Sequence, residues 1–404
     1  MSEIIDAVAA FDAFDAGAGA GSDGAKGSGG AEGASLTKPN GVLHALHAKG
    51  RQDTYMFGDR TKEQARPGGP VFRDMRSEWL GHKHATTYCK IPVEKKVSLE
   101  SNRIVLRIER SCDMINELDI AVPVCLPRIK SVSVEIGGQR IDKMDFPSDG
   151  SQTLIEALAA LYRRGSTCDP HGGSQSLLVF FPLLLAPFHS WNLLPLVALK
   201  YHDVQIIVEF HPDPSAAAAA AAPAFDSIDL YGNVYYFEND VRRRLASTAI
   251  EFGVAQCQWG NDSKPELVIE ERADGRNRFA VKAYMNHPTV ALIFWGFDRS
   301  LVTNVRLTLD GAAYYDGPLE ALEVAKTRRF HGRHPMPDAC FIFFSHADTP
   351  IWSDRQATVN FLRIDSTVLE IETTQQVLEE VHVRAVTLQP LRIMSGMAGL
   401  AFSK

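Results

Sequence analysis

Cysteine is scarce in this chain and scattered. The six residues, Cys89, Cys112, Cys125, Cys168, Cys257 and Cys340, contain no CxxC pair. That excludes a zinc ribbon and gives no disulfide framework of the kind that staples small secreted domains. They read as buried thiols in a reducing compartment. An excess of positive charge is missing too. A net charge of −7 argues against a chain whose task is to grip nucleic acid, because phosphate binding needs a cationic surface. No basic segment followed by an apolar one opens the chain, so no signal peptide is visible. The longest apolar run, residues 177–199, is interrupted by Pro182, Pro187, His189, Asn192 and Pro195, which rules out a membrane-spanning helix. These absences predict a soluble protein made in a cytoplasm.

Catalytic signatures are also lacking. There is no GxSxG elbow, no HExxH and no Walker loop. A GxGxxG match at Gly19, Gly21 and Gly24 follows no strand and opens no helix, as a dinucleotide site would require. The histidine pairs His44/His47, His82/His84 and His331/His334 have no third partner at metal-binding spacing. The sequence therefore predicts no enzyme, no catalytic residue, no cofactor and no metal.

What is present is material for two domains. A chain of 404 residues exceeds the roughly 250–300 residues at which one hydrophobic core stops growing. Residues 1–40 form a Gly/Ala-rich segment that cannot bury enough surface to offset its ordering entropy; it reads as a flexible, acidic N-terminal arm. Ile4, Val8 and Phe11 recur there at helical spacing and are candidates for docking on an inner partner. From about residue 86 the pattern turns to period-two alternation. Ile104, Leu106 and Ile108 share one face of a strand, as do Val132, Val134 and Ile136, and Val204, Ile206, Val208 and Phe210. Gly137-Gly138 makes a hairpin turn. A helix is expected around Leu154, Leu158 and Leu161.

The alanine run 216–222, bounded by prolines, reads as a linker. It predicts a first domain over 41–212, a linker over 213–224 and a second domain over 225–404. The second half holds further strand candidates at 234–238, 249–256, 279–285, 289–295, 302–309, 340–345, 357–363, 368–372 and 381–388. A short helix around 240–247 and a polar excursion over 310–338 interrupt them. Two consecutive units of similar size, rich in short strands and with few helices, suggest an all-β chain of two tandem jelly-roll β-sandwiches.

Particular stretches then become familiar. Residues 131–142 read SVSVEIGGQRID, residues 194–206 read LPLVALKYHDVQI, residues 234–247 read VYYFENDVRRRLAS, residues 285–295 read MNHPTVALIFW, and residues 391–403 read LRIMSGMAGLAFS. In this order, from about Gly41 to the C-terminus, they resemble the major capsid proteins of the nucleocytoplasmic large DNA viruses. The long arm and the alanine run depart from that pattern. The resemblance implies a double jelly roll and a non-enzymatic shell protein. It also implies a homotrimeric, pseudo-hexagonal capsomer that meets neighbouring capsomers, penton and minor capsid proteins, and proteins of an inner membrane layer, in a virion assembled in the host cytoplasm. A minor capsid or scaffold protein of the same fold, or a carbohydrate-binding or hydrolytic jelly roll, are the alternatives.

On that reading the excursions 143–176 and 310–338 face outward. Phe188, His189 and Trp191 lie either in an interface loop or in a core loop and are candidates for an inter-subunit contact. Arg242, Arg243 and Arg244 form the one tight basic cluster and are candidates for pairing with carboxylates at a domain or subunit contact.

Overall fold

The computed structural model describes residues 40–57, 71–72, 74–98, 101–123, 129–146, 151–162, 178–211, 225–259, 267–271, 277–329, 339–345, 351, 357–374 and 381–402. These lie within one compact unit, Pro39–Lys404. The expected docking residues Ile4, Val8 and Phe11, the alanine run and residues 163–177 fall outside the described residues.

The alternating stretches are strands. In the first half they are β1 His84–Lys90, β2 Val93–Ser98, β3 Arg103–Ile108, β4 Met114–Pro123, β5 Ile129–Ile136, β6 Gln139–Asp145, β7 Leu178–Pro182, β8 Leu194–Pro195, β9 Val204–Phe210 and β10 Asp229–Phe237. In the second half they are β11 Ile250–Trp259, β12 Leu267–Glu271, β13 Asn277–Lys282, β14 Pro288–Trp295, β15 Val302–Leu309, β16 Ala312–Gly317, β17 Cys340–Phe343, β18 Val359–Asn360, β19 Thr367–Thr373, β20 His382–Met394 and β21 Met397–Leu400. The described helices are α1 Asn40–His47, α2 Arg51–Phe57, α3 Met75–Leu80, α4 Ser151–Leu161, α5 Asn239–Ser247 and α6 Leu319–Arg329.

Four antiparallel sheets result. Sheet A runs β1-β10-β4-β7 with β8 on β4, and sheet B runs β2-β3-β9-β5-β6. Sheet C runs β11-β20-β14-β17 with β18 on β14 and β21 on β20, and sheet D runs β12-β13-β19-β15-β16. A and B enclose Ile104, Leu106, Val132, Val134, Ile206 and Val208 against Leu118, Ile120, Leu230 and Val234. C and D enclose Leu292, Phe294, Ile342 and Val383 against Phe279, Val281, Val305, Leu307, Leu369 and Ile371. The fold is two β-sandwiches, as the alternation predicts.

The topology repeats with an offset of ten strands. Adding ten to each strand number turns the order of sheet A into that of sheet C, and B into D. The smaller elements follow: α4 lies between β6 and β7, and α6 between β16 and β17. The 3-10 turn Leu196–Ala198 follows β8, and the 3-10 turn Phe361–Arg363 follows β18. The repeat corrects the expected division of the chain. β10 follows the alanine run, yet it pairs with β1 and β4 of the first sandwich. The first repeat therefore closes after β10, and the alanine run, outside the described residues, lies in sequence between β9 and β10. The composition of a loop and that of an inter-domain linker are the same, so composition cannot distinguish them.

Two further expectations change. The excursion 310–338 is not wholly irregular, since it contains β16 and α6. The strand expected at 357–363 shrinks to β18, because the Asn360 side chain accepts a hydrogen bond from Leu362 N at 3.1 Å and turns the chain into the 3-10 segment.

Candidate assembly surfaces

Sheet C explains why its strands read as unbroken apolar runs. β14 is buried at every position, as expected of a strand covered on both faces. Leu292 and Phe294 point into the second sandwich. Ile293 and Trp295, with Phe341, Val386, Leu388 and Leu391, join the apolar cluster that continues from the first sandwich. The two sandwiches are therefore joined by an apolar seam on the outer face of sheet C.

Phe188, His189 and Trp191 belong to that seam. They are 0%, 2% and 3% exposed within the single chain, so the inter-subunit contact expected of them is corrected to a contact inside the chain. His189 Nε2 lies 2.9 Å from the Ala255 carbonyl of β11. Asn192 Nδ2 donates to Gly253 O at 3.3 Å, and Glu117 N donates to Phe188 O at 2.9 Å. The His189 ring stacks on Trp191 at 4.6 Å and meets Tyr162 at 4.1 Å. His189 Nε2 and Asn192 Nδ2, the polar atoms that suggest a surface loop, thus meet backbone carbonyls of the second sandwich.

The rest of the seam is also polar at intervals. Arg384 of β20, 2% exposed, donates from a terminal guanidinium nitrogen to the Asp145 carbonyl at 2.8 Å. Burial pulls its pKa down to about 9. Gln256 Nε2 donates to the Ile141 carbonyl, and Asp142 Oδ2 accepts from Ala186 N at 2.9 Å. Burial pushes the Cys257 thiol up to about 12, which makes it an inert packing residue. Cys112, also buried, is pushed up to about 12 for the same reason.

The terminal segments fasten the seam, and sequence reasoning missed how. α1 and α2 precede the first sandwich in the chain but pack on the second. Ala45 and Ala48 enter its core. Asn360 Nδ2 donates to Asp53 Oδ2 at 2.5 Å, and Gln52 Oε1 lies 3.1 Å from His287 Nδ1. The chain then crosses the seam. Gly253 N donates to Val71 O at 2.8 Å, and a Cβ added at Gly253 would lie 2.2 Å from the Phe72 ring. At the other end, Tyr201 N of the first sandwich donates to Gly396 O at 3.0 Å. Gly396 has φ +81°, and a Cβ there would lie 2.9 Å from Lys200 and Tyr201. Gly396 thus marks a tight approach of the C-terminal segment to the first sandwich.

The arginine cluster divides. Arg242 Nε bonds Asp113 Oδ1 at 2.9 Å, where the Asp113 side chain is 4% exposed. The other carboxylate oxygen accepts from Phe237 N at 2.8 Å. Arg242 therefore ties α5 to the end of sheet A, which is a contact within the chain. Arg243 and Arg244 are exposed on the helix surface.

Among the described residues, no group of three or more His, Cys, Asp or Glu is placed to hold a metal ion, and no helix is long and apolar enough to cross a membrane. Two surfaces on the sandwiches differ in character. The outer face of sheet D carries ion pairs, Arg278 with Glu370 and Arg306 with Asp316 and Glu370. Such a face is at home in water. The outer face of sheet A instead carries an aromatic row. Tyr88, 51% exposed, stacks on Tyr231 at 6.3 Å, and Phe180, 38% exposed, meets the same ring edge-on at 5.3 Å. Tyr88 OH donates to Asp119 Oδ2 at 2.9 Å.

No family model matches the chain. Sequence comparison finds it 28% identical over 329 residues to the major capsid protein of Pyramimonas orientalis virus, covering 68% of this chain and 76% of that one. It is 24% identical to the major capsid protein of Paramecium bursaria Chlorella virus 1, covering 90% of this chain and 99% of that one. Among solved structures, PBCV-1 VP54, fitted into a reconstruction of the virophage Sputnik, matches with a TM-score of 0.62 at 18% identity. That match covers 80% of this chain and 98% of VP54. The quasi-atomic model of the PBCV-1 virus capsid matches with a TM-score of 0.61 at 17% identity, over 80% of this chain and 98% of that one. By sequence and by its twice-repeated sandwich, this chain is a double jelly-roll protein related to the major capsid proteins of the large DNA viruses.

Proposed function

We propose that the chain is the major capsid protein of a large double-stranded DNA virus and that three copies form a pseudo-hexagonal capsomer. The observation that carries this reading is the ten-strand repeat. Two sandwiches of one topology, fused side by side, give each chain two similar walls. Three chains joined head-to-tail then present six walls from three identical parts. A heterologous contact of this kind closes into a ring when the rotation is right. The fused seam supports the proposal: it fixes the angle between the two walls, which a tile requires. The relation to viral capsid proteins at both the sequence and the fold level supports it from another direction.

On this reading the chain's main partner is itself, first in the capsomer and then between capsomers in the shell of the virion. Penton and minor capsid proteins and an inner membrane layer are the further partners proposed, with assembly in the host cytoplasm. Native mass spectrometry of the purified protein tests the proposal. A species of three chain masses is expected; a strict monomer that binds glycans would point instead to a carbohydrate-binding sandwich.

A further inference from the structure

Among the described residues before β1, none joins a sheet. The ladders of both sandwiches are built from β1–β21 alone. The leading helices nevertheless reach both bodies, α1 and α2 lying on the second sandwich and α3 on the first. Their ties differ in kind from strand pairing. β11 meets β20 along ten consecutive residue pairs. The leading segment instead makes isolated backbone bonds: Asn360 N donates to Ala48 O at 3.3 Å, Gly253 N to Val71 O at 2.8 Å and Arg76 N to Trp191 O at 3.2 Å.

The same segment carries local structure of its own. Asp53 Oδ2 accepts from Gly50 N at 2.7 Å, which closes the first turn of α2. Asp74 Oδ1 accepts from Ser77 N at 3.2 Å and caps α3. The sandwiches hold the matching seats. Glycine inside a strand weakens it and marks close approach by another part of the chain, and Gly253 in β11 leaves the room that the Phe72 ring fills. Gly41 of α1 comes equally close to β16, since a Cβ there would lie 2.4 Å from the Ala313 backbone. In these seats Met56, Val71, Phe72, Met75 and Trp79 are at most 5% exposed. The polar groups fit less well. Among the described residues, Gln52 Nε2 and Trp79 Nε1 are buried without a hydrogen-bond partner, and each such group lowers the stability of the docked state.

The position of the seats sets an order of events. Gly253 in β11 and Asn360 in β18 both belong to sheet C, so neither seat exists until that sheet has paired. Asp53 reaches Asn360 across 307 positions, and contacts this distant in sequence come late because the chain must first be brought together. We infer that α1, α2, Val71–Phe72 and α3 form a strap that closes last on two finished sandwiches and opens first, and that its closure gates assembly. An open strap uncovers the Gly253 seat on sheet C and the Ala313 stretch of β16, and it removes the fastening of the seam at Gly253. A chain in that state keeps both sandwiches but not the fixed angle between them that a capsomer requires. The gate rests on the capsomer reading; the strap itself does not.

Hydrogen exchange of the full-length protein in sub-denaturing urea, read by mass spectrometry, tests the strap. Amides of α2 and α3 are expected to exchange through an opening about 100-fold more frequent than that of β11 and β20. Coincident exchange of strap and strands overturns the inference. The variant Phe72→Asp is expected to hold the strap open: β11 and β20 keep their protection, α2 and α3 lose theirs, and sedimentation velocity shows a loss of trimer at the same concentration, because only the closed fraction is competent. Loss of strand protection together with strap protection in that variant overturns the strap. An open strap on a chain that assembles like the wild type overturns the gate. A wild-type protein that stays monomeric while its strap opens separately overturns the capsomer reading, and the gate with it, and leaves the strap standing.

Discussion

Replacing Trp191 by alanine asks whether the loop at 188–192 holds one chain together or joins separate chains. The side chain is 3% exposed, stacks on His189 at 4.6 Å and meets Tyr162 edge-on at 5.6 Å. Its carbonyl accepts from Arg76 N at 3.2 Å, a bond the substitution keeps. Truncating a buried tryptophan costs about 3–5 kcal/mol. The unit Pro39–Lys404, unfolding as one body with ~2.1 cal/mol/K per residue, has an unfolding entropy of about 0.8 kcal/mol/K. The midpoint should therefore fall by about 4–6 °C. The assay is a thermal melt followed by circular dichroism at fixed protein concentration, since assembly shifts the midpoint by mass action. Sedimentation on the same samples should show an unchanged oligomer. An unchanged melt together with a lost oligomer would refute the seam and return Trp191 to a subunit interface.

Other substitutions probe single features of the same structure. Gly253→Val should destabilise by about 1–3 kcal/mol through overpacking, because its Cβ would meet the Phe72 ring at 2.2 Å; adding Phe72→Ala to the same chain should relieve the clash and make the pair of costs non-additive in a denaturant titration. Asp113→Ala should cost about 1–3 kcal/mol by orphaning the buried Phe237 N–H, whereas Arg242→Ala at the exposed end of the pair should cost less than 1 kcal/mol. Burial alone would raise the Asp229 carboxyl, but hydrogen bonds from Lys90 and Lys95 outweigh it and hold it below its ordinary value. Its contribution is therefore present above the usual carboxylate pKa of about 4 and is lost as pH falls through that range, so Asp229→Asn should flatten the acid side of the stability profile. At pH 8, iodoacetamide followed by peptide mapping should spare Cys112 and Cys257, whose thiols burial has pushed up to about 12, until the chain is unfolded.

How much could be read in advance depended on how many faces of an element are buried. β3 buries Ile104, Leu106 and Ile108 and leaves Arg103, Val105 and Arg107 at least partly exposed, and its alternation gives both strand and face from the sequence. β5 and β9 alternate in polarity and are legible in the same way, although Ser131, Ser133 and Ile207 on their second faces are also buried. β14 is dry on both faces, so its residues read only as apolar; nothing in PTVALIFW says that Ile293 and Trp295 serve a different cluster from Leu292 and Phe294. α6 escaped notice because only Leu319 and Leu322 are apolar residues marking its buried side, and the charged residues around them, Glu320, Glu323, Lys326, Arg328 and Arg329, resemble a polar loop. The loop 188–192 misled in the opposite sense. Its histidine and asparagine are typical of surfaces, but His189 Nε2 and Asn192 Nδ2 meet carbonyls of β11, a contact between residues some sixty positions apart that no local pattern reveals. The alanine run looked like a boundary for the same reason: the partner strands of β10 lie over a hundred positions upstream, at Met114 and His84.

Cryo-electron microscopy of the purified, assembled protein is the most direct test of the whole account. Six sandwiches standing around a threefold axis is the predicted map. A twofold dimer, or single chains that never close into a ring, would contradict it.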